Sequence, residues 1–394
     1  MRKLFFVLLV FLLAGTSQAQ TPFDTTGGRF RNFVFDTITI TENLPYSTSL
    51  NFGGQMQTLL MDIYQPYNDP MAARPFMVLV HGGSFLQGNK SDLEETCRAF
   101  ARKGYVAVSI QYRLGYTSLT AAGAVQTVIR ATQDLKNAIR FLRKSVTLSN
   151  PYKLHPDYAF AGGVSAGAIT SLHAAYMDQL SEILPGQTIP TLDSLHNSGQ
   201  FPGIDWRFKA VINIAGGIGD TNWIQPGDVP VTSFHGTADV VVPYESGSFS
   251  GAFSLFGSHP IFERTQHIGI RSALRPFIGA GHDYSAGNPG ATDTTIARIT
   301  SFLLPFLTSP VTEVDSPLSQ QQAMLFLQPN GWKLETEMPG FEIKIYDYQG
   351  RLLIQKSEGS ASLSIPATSC GRVLQITTNT GMQKSWILPA SHQK

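Results

Sequence analysis

Cysteine is nearly absent. Two in 394 residues, Cys97 and Cys370, cannot build a disulfide framework, so the fold must draw its stability from a hydrophobic core. Cys97 lies in the helix-like stretch DLEETCRAFARKG and Cys370 near the far end of the chain, and both are expected to be unpaired. An excess of either charge is also missing, with 29 basic against 28 acidic side chains. Nucleic acid or an anionic membrane surface would call for a strongly basic chain, so neither is expected as a partner. HExxH, paired CxxC and P-loop motifs are all lacking, which removes the usual sequence grounds for a metal or nucleotide, and no cofactor is expected. No apolar run reaches the roughly 20 residues of a membrane span, so no transmembrane anchor is expected either.

The longest apolar run, Leu4 to Ala14, follows Arg2 and Lys3 and gives way to small polar residues ending at Ser17-Gln18-Ala19. This is the layout of a secretory signal peptide over residues 1–19, cleaved after Ala19, with no cysteine there to take a lipid. Export through the periplasm to the cell surface or medium is therefore expected. Loss of Arg2 and Lys3 leaves 27 basic against 28 acidic side chains, close to neutrality.

What is present is the pattern of a folded chain, with 42% apolar residues and length for one large domain plus a small one. After a polar lead-in over residues 20–35, strand-length runs occur at FDTITI, TLLMDIY, FMVLVHG, YVAVSIQY, YAFAGGV, AVINIAGG and PVTSFHG. Helical spacing separates the later ones. Val125, Val128, Ala131, Leu135, Ala138, Ile139 and Leu142 mark one face of a long helix, and Ser91 with Glu94 makes a capping box for the helix that carries Cys97. Strands alternating with helices predict an α/β domain over residues 36–307 with a mostly parallel sheet flanked by helices. Residues 177–208 interrupt the alternation with proline, glycine and polar residues, an insertion that is read either as a lid or binding loop or as a surface excursion. A proline- and serine-rich linker is expected at 308–319. Beyond it, FEIKIYD, RLLIQKS, ASLSIP, RVLQITT and KSWIL are short strands without helices, which predicts a β-sandwich over residues 320–394.

The candidate chemistry centres on Ser165. AFAGGVSAGAITSLHAAYM places it in the spacing GxSxG between a strand and a helix, where Gly163, Ala166 and Gly167 leave room for a sharp turn. A serine hydroxyl needs a base, and the base an orienting acid. Downstream, VTSFHGTADVVVPY puts Asp239 after one strand and FIGAGHDY puts His282 after another, so all three follow strands, at the carboxyl edge of a parallel sheet. Asp283 and Glu245 compete with Asp239 for the acid's role. His81, His235 and His173 compete with His282, but His81 and His235 read as structural hydrogen-bonding residues and His173 as core or surface of the helix after Ser165. Upstream, FMVLVHGGSF ends a buried strand in small residues whose backbone N–H groups, with that of Ala166, suit an oxyanion. Tyr112 and Arg113 read as braces near that loop. Phe85 is a candidate for the pocket wall, and Trp223 reads equally as a residue at the pocket rim or as a packed tryptophan.

Taken together, HGGSF, SIQYRLG, DLKNAIRFLRK, HPDYAFAGGVSAGA, HGTADVVVPY and GAGHDY resemble the α/β-hydrolase superfamily, and within it carboxylesterase- and lipase-like serine esterases, over about residues 52–307. The resemblance implies a carboxylic-ester hydrolase with Ser165 as nucleophile, His282 as general base then acid, and Asp239 as orienting carboxylate. It implies an oxyanion hole from the N–H groups of Gly83, Ser84 and Ala166. Ser84 stands where many members have glycine or alanine. The last module, from FEIKIYD to KSWIL, resembles the sorting domain of Bacteroidetes proteins exported by the type IX secretion machinery, which would then be a partner. A short acyl ester, acetyl or feruloyl among them, free or on polysaccharide, is the expected substrate, with lipid esters left open. The alternatives are a peptidase on the same fold and a catalytically silent surface-binding protein.

Overall fold

The computed structural model describes residues 23–308, apart from 117, 119, 184–194, 197, 250–252 and 286–287, and seven strands between Ala323 and Leu388. It divides into two compact units, one spanning Phe23–Ser309 and one containing Pro310–Lys394. The expected signal peptide, Cys370 and all of the expected linker but Thr308 lie outside the described residues.

The larger unit is built on an eight-stranded sheet. In chain order its elements are β1 (Ile38–Leu50), β2 (Met56–Pro66), β3 (Arg74–Val80), α1 (Glu94–Arg102), β4 (Val106–Ile110), α2 (Ala121–Leu148), β5 (Leu154–Val164) and α3 (Ala166–Tyr176). There follow β6 (Val211–Ile214), β7 (Val231–Gly236), the hairpin β8 (Ser246–Phe249) and β9 (Phe253–Phe256), α4 (Ser258–His267), β10 (Ser272–Phe277) and α5 (Pro289–Thr308). The sheet order is β1-β2-β4-β3-β5-β6-β7-β10, and from β4 to β10 every neighbouring pair is parallel. β3 and β4 are wholly buried and, apart from Arg74 and Ser109, apolar, as strands covered on both faces must be.

The order reverses at β3. The connection from β3 through α1 runs toward the β2 edge, while that from β5 through α3 runs toward β10. Right-handed crossovers then put α1 on one face and α2 and α3 on the other, and α1 meets α5 as α2 meets α3. The point of reversal, between the carboxyl ends of β3 and β5, is where such a sheet opens a crevice for a ligand.

Several expectations need correction. The cap before α1 is Asn89 with Asp92 and not Ser91 with Glu94: the Asn89 side chain accepts from the Ser91 N–H at 3.2 Å and Asp92 accepts from the Asn89 N–H at 2.8 Å. A 3-10 turn, Lys90–Leu93, therefore precedes the helix and takes Ser91 inside it. The lead-in, read as polar, contributes to the core from Phe23 on: Phe30 is fully buried with its ring edge-on to Tyr105 at 5.1 Å, and the Phe23 N–H donates to the Leu307 carbonyl at 3.0 Å.

The predicted apolar stripe of α2 is in place, buried from Val128 to Leu142. Its polar side is buried too. Arg140 is fully buried and donates to the carbonyls of His196, Ser198 and Gln200; Arg143 donates to that of Asp205 at 2.7 Å; and Lys136 Nζ lies 2.9 Å from His196 Nδ1 and 4.0 Å over the Trp206 ring. The second half of the 177–208 insertion is thus a wall packed on α2.

In the smaller unit, β11 (Ala323–Gln328), β12 (Gly331–Thr336) and β15 (Ala361–Pro366) form one antiparallel sheet. A second contains β14 (Leu352–Glu358), β13 (Phe341–Asp347), β16 (Arg372–Thr378) and β17 (Gln383–Leu388), in that order. Seven strands crossing between two antiparallel sheets is the connectivity of a Greek-key sandwich. β11 and β12 were not among the strands expected from the sequence.

Candidate active site

β5 ends at Val164, and Ser165 turns the chain into α3 with φ 55° and ψ −119°. A non-glycine residue held there stores strain, on the order of 1–3 kcal/mol, that the surroundings must over-determine. They do so through backbone. The Ser165 N–H donates to the Ile214 carbonyl at 2.8 Å, and its own carbonyl accepts the first helical bond from Ile169 at 2.9 Å. The flanking glycines are required by contact: a Cβ on Gly163 would lie 2.3 Å, and one on Gly167 1.9 Å, from the Val80 carbonyl oxygen.

His282, in the loop after β10, places Nε2 2.9 Å from Ser165 Oγ and Nδ1 2.6 Å from Asp239 Oδ2. Asp239, in the loop after β7, uses Oδ1 to accept the N–H groups of Val241 and Val242 at 2.8 and 3.0 Å. Its side chain is fully buried, whereas that of His282 is 23% exposed. Burial alone would push the Asp239 carboxyl up; hydrogen bonds from His235 and His282, the His282 charge and the Val241 N–H outweigh it and hold it well below the usual carboxylate range. The rival acids are elsewhere: Glu245 faces His259 at 2.8 Å, and Asp283 is exposed and accepts from Ser285.

The loop after β3 lies against the serine, since a Cβ on Gly82 would sit 3.3 Å from Ser165 Cβ. Gly83, Ser84 and Phe85 all have positive φ, at 108°, 54° and 61°. Their conformation is fixed from outside. The Gly83 carbonyl accepts from Leu86 and Gln87 at 3.0 and 3.1 Å, Tyr116 Oη donates to the Ser84 carbonyl at 2.9 Å, and the Gly115 N–H donates to the Phe85 carbonyl at 2.7 Å. The N–H groups of Gly83, Ser84 and Ala166 have no acceptor among the described residues. Tyr112 and Arg113 are braces, as expected: Tyr112 Oη donates to the His81 carbonyl at 3.2 Å, and Arg113 pairs with buried Asp134 at 2.9 Å.

One further expectation resolves differently. Phe85 is fully buried, packed edge-on between Tyr112 and Phe249, so its ring has no face left to line a pocket. Trp223 is partly exposed and leans on His173 at 5.5 Å and on the cluster of Ile129, Met177 and Leu195, joining α3 to the insertion. His173 is core; burial lowers its imidazole to about 4, against the Ile169 carbonyl that it contacts at 2.8 Å.

A family model, BD-FAE, matches residues 61–219. That span holds the 81–84 loop and Ser165 but stops short of Asp239 and His282. No curated protein sequence matches the chain. Among solved structures, esterase 2 of Thermogutta terrifontis phosphoramylated by tabun is similar with a TM-score of 0.51 and 22% identity, over 70% of this chain and 96% of that one. Its paraoxon-phosphorylated form gives the same values, and its propionate-bound form a TM-score of 0.50 at 22% identity over 67% and 96%. The larger unit has the α/β-hydrolase fold.

Sequence reasoning read His235 only as a structural hydrogen-bonding residue. In the α/β-hydrolase unit its Nε2 lies 3.0 Å from Asp239 Oδ2, the oxygen that His282 also uses. The signal was available in HGTAD, where a histidine four residues before the acid closes across the turn.

Proposed function

We propose that the chain is a serine ester hydrolase that works through an acyl-enzyme. The observation that carries this reading is the unbroken line of hydrogen bonds from Ser165 Oγ through His282 to Asp239, beside backbone N–H groups without acceptors among the described residues. As Ser165 Oγ attacks the ester carbonyl carbon, His282 Nε2 takes its proton and the carbonyl oxygen becomes an oxyanion held by the N–H groups of Gly83, Ser84 and Ala166. The tetrahedral intermediate expels the alcohol, which leaves with the proton from His282. Water then enters, His282 accepts one of its protons, the hydroxide oxygen attacks the acyl carbon, and Ser165 leaves with the proton restored. Asp239 stays ionised throughout and holds the imidazolium.

The BD-FAE match and the fold shared with a bacterial esterase support ester hydrolysis, and the propionate-bound form of that esterase supports a short acyl group as the class of substrate. The leader and the C-terminal module support export, with the type IX machinery as the route. The test is turnover of p-nitrophenyl esters from acetate to palmitate, with methyl ferulate and acetylated xylan, by wild type and Ser165→Ala, together with mass-spectrometric location of the paraoxon adduct. Activity on short esters that is lost with the serine, and a phosphoryl group on Ser165, are the expected results. Full turnover by a folded Ser165→Ala protein overturns the reading, and cleavage of peptides in place of esters moves it to a peptidase.

A further inference from the structure

The buried side of the Asp239 carboxylate continues into a chain of polar side chains that the reaction above does not use. His235 is fully buried at the end of β7. Its Nε2 lies 3.0 Å from Asp239 Oδ2 and 2.9 Å from the Val242 carbonyl, and its Nδ1 lies 2.7 Å from Ser258 Oγ, at the start of α4. Ser258 Oγ is 3.0 Å from Asn213 Nδ2, which also reaches Ser233 Oγ at 3.0 Å. Asn213 Oδ1 accepts the Gly216 N–H at 3.0 Å.

The direction of every bond in this chain follows from its last member. A backbone N–H can only donate, so the Asn213 oxygen must face Gly216 and its NH2 must face the serines. Ser258 Oγ therefore accepts from Asn213 and is free to donate its own proton to His235 Nδ1. The His235 proton then sits on Nε2, where both neighbours, a carboxylate and a carbonyl, are acceptors. One ring proton satisfies the whole chain.

We propose that His235 is a positioning residue for Asp239: set by Asn213 and Ser258, it donates to Oδ2 and so orients the carboxylate toward His282 and limits how strongly it draws the His282 proton. The inference rests on the serine-hydrolase reading of Ser165, His282 and Asp239. With His235 in place, four donors share two carboxylate oxygens. Without it, Oδ2 has His282 alone, the carboxylate keeps only the Val241 and Val242 N–H groups on Oδ1 to resist rotation, and more of its charge falls on His282 Nδ1. The titratable groups facing His235 are Asp239, His282 through that carboxylate, and Tyr244, whose ring meets it edge-on with the centroids 5.7 Å apart and stacks in turn on His259, the partner of Glu245.

The test compares His235→Phe, His235→Gln, whose amide nitrogen can replace Nε2–H, and Ser258→Ala, in the full chain on p-nitrophenyl acetate. The expected result for His235→Phe is a kcat reduced roughly 10- to 100-fold with KM little changed, in the range that loss of a charge-assisted hydrogen bond produces. The acid limb of kcat/KM moves to higher pH, and the low-field proton resonance of the His282–Asp239 bond moves further downfield. His235→Gln restores the limb and most of kcat, and Ser258→Ala gives a smaller change in the same direction. If His235→Phe is folded by circular dichroism and keeps the wild-type limb, resonance and kcat, the proposal is overturned. If both His235 variants lose kcat to the same degree with limb and resonance unmoved, the role is structural and the proposal also fails. Should His235→Phe not fold, Ser258→Ala decides by the same readouts. Full turnover by Ser165→Ala in the same assay would instead refute the hydrolase reading beneath it.

Discussion

At Gly167 the cost of a single methyl group can be followed to the reacting atoms. A Cβ there would lie 1.9 Å from the Val80 carbonyl oxygen and 2.7 Å from that of His81, where ordinary contact begins at 3.4 Å, so about 1.5 Å must be found at the tighter contact. Both obstacles are backbone, the end of β3 and the start of the oxyanion loop, and neither can swing aside as a side chain would. The first turn of α3 has to move away from β3, and Ser165, immediately before it, moves with it. Ser165 Oγ now stands 2.9 Å from His282 Nε2. A displacement of about 1 Å at a reacting atom costs on the order of 100-fold in rate. Gly167→Ala should therefore lower kcat on p-nitrophenyl acetate by about 100-fold, with an overpacking penalty of about 1–3 kcal/mol in urea unfolding. Gly281→Ala is the control: it precedes His282 directly, yet its Cβ would meet nothing within 4 Å, so its activity should stay within about twofold of wild type. A folded Gly167→Ala protein with wild-type kcat would show that the close approach of α3 to β3 does not set the serine's position.

Asp239→Asn should lower kcat at neutral pH by roughly 1,000- to 10,000-fold, because all four partners of the carboxylate donate hydrogen bonds and any orientation of the amide sets its NH2 against some of them; steady-state kinetics on p-nitrophenyl acetate checks it. The wild-type carboxyl is held below its unfolded value of 3.8, so its stabilisation is complete above that pH and drains away as pH falls further; thermal unfolding from pH 7 to pH 2 should show the wild type losing its margin over the variant in the acid range. Asp228 is the opposite case. Burial, with the charges of Asp178 and Glu182 and against the Gln225 N–H, pushes its carboxyl up to about 6. The folded state then binds more protons than the unfolded one between about pH 4 and 6, stability falls as pH rises through that window, and Asp228→Asn should stabilise the fold at pH 7.5 but not at pH 4, by about 1 kcal/mol after discounting for its partial exposure, read as a higher Tm at pH 7.5 only. Tyr116→Phe removes the donor to the Ser84 carbonyl and should lower kcat about tenfold with KM unchanged, read alongside weaker binding of a trifluoromethyl ketone.

The strands and the residues that meet in the candidate site were legible because their signals are local. β3 and β4 are short apolar runs, GxSxG is a steric demand of one turn, and the acid and histidine each follow a strand. α2 shows where that logic stops. Its apolar stripe was read from the 3.6-residue period, but Lys136, Arg140 and Arg143 look like the solvated face of the same helix and are buried. What covers them is a segment some 60 residues downstream whose carbonyls need donors, a relation that no period within α2 records. Phe85 failed for a related reason. Its place beside the oxyanion loop suggested a pocket wall, but a positive φ at Ser84 and at Phe85 itself directs the chain so that the ring packs into the core between Tyr112 and Phe249.

β6 supplies no reacting group, yet both arms of the site are referred to its end. The Ser165 N–H is fixed by the Ile214 carbonyl at 2.8 Å, and Asp239 is reached from Asn213 through Ser258 and His235. Immediately beyond, Ala215 takes φ 51°, and a Cβ on Gly216 would lie 2.5 Å from that of Ala168 in α3. The strand lies between β5, which leads directly into Ser165, and β7, whose following loop holds Asp239, so a displacement at its end is felt by both. The two halves of the constellation come from loops 74 residues apart in sequence, and a shared reference between them is what allows bonds of 2.9 and 2.6 Å to be held at the same time. Substitutions at Asn213 and at Gly216 should for this reason couple to those at His235 and not add to them, which a double-mutant cycle on kcat measures directly.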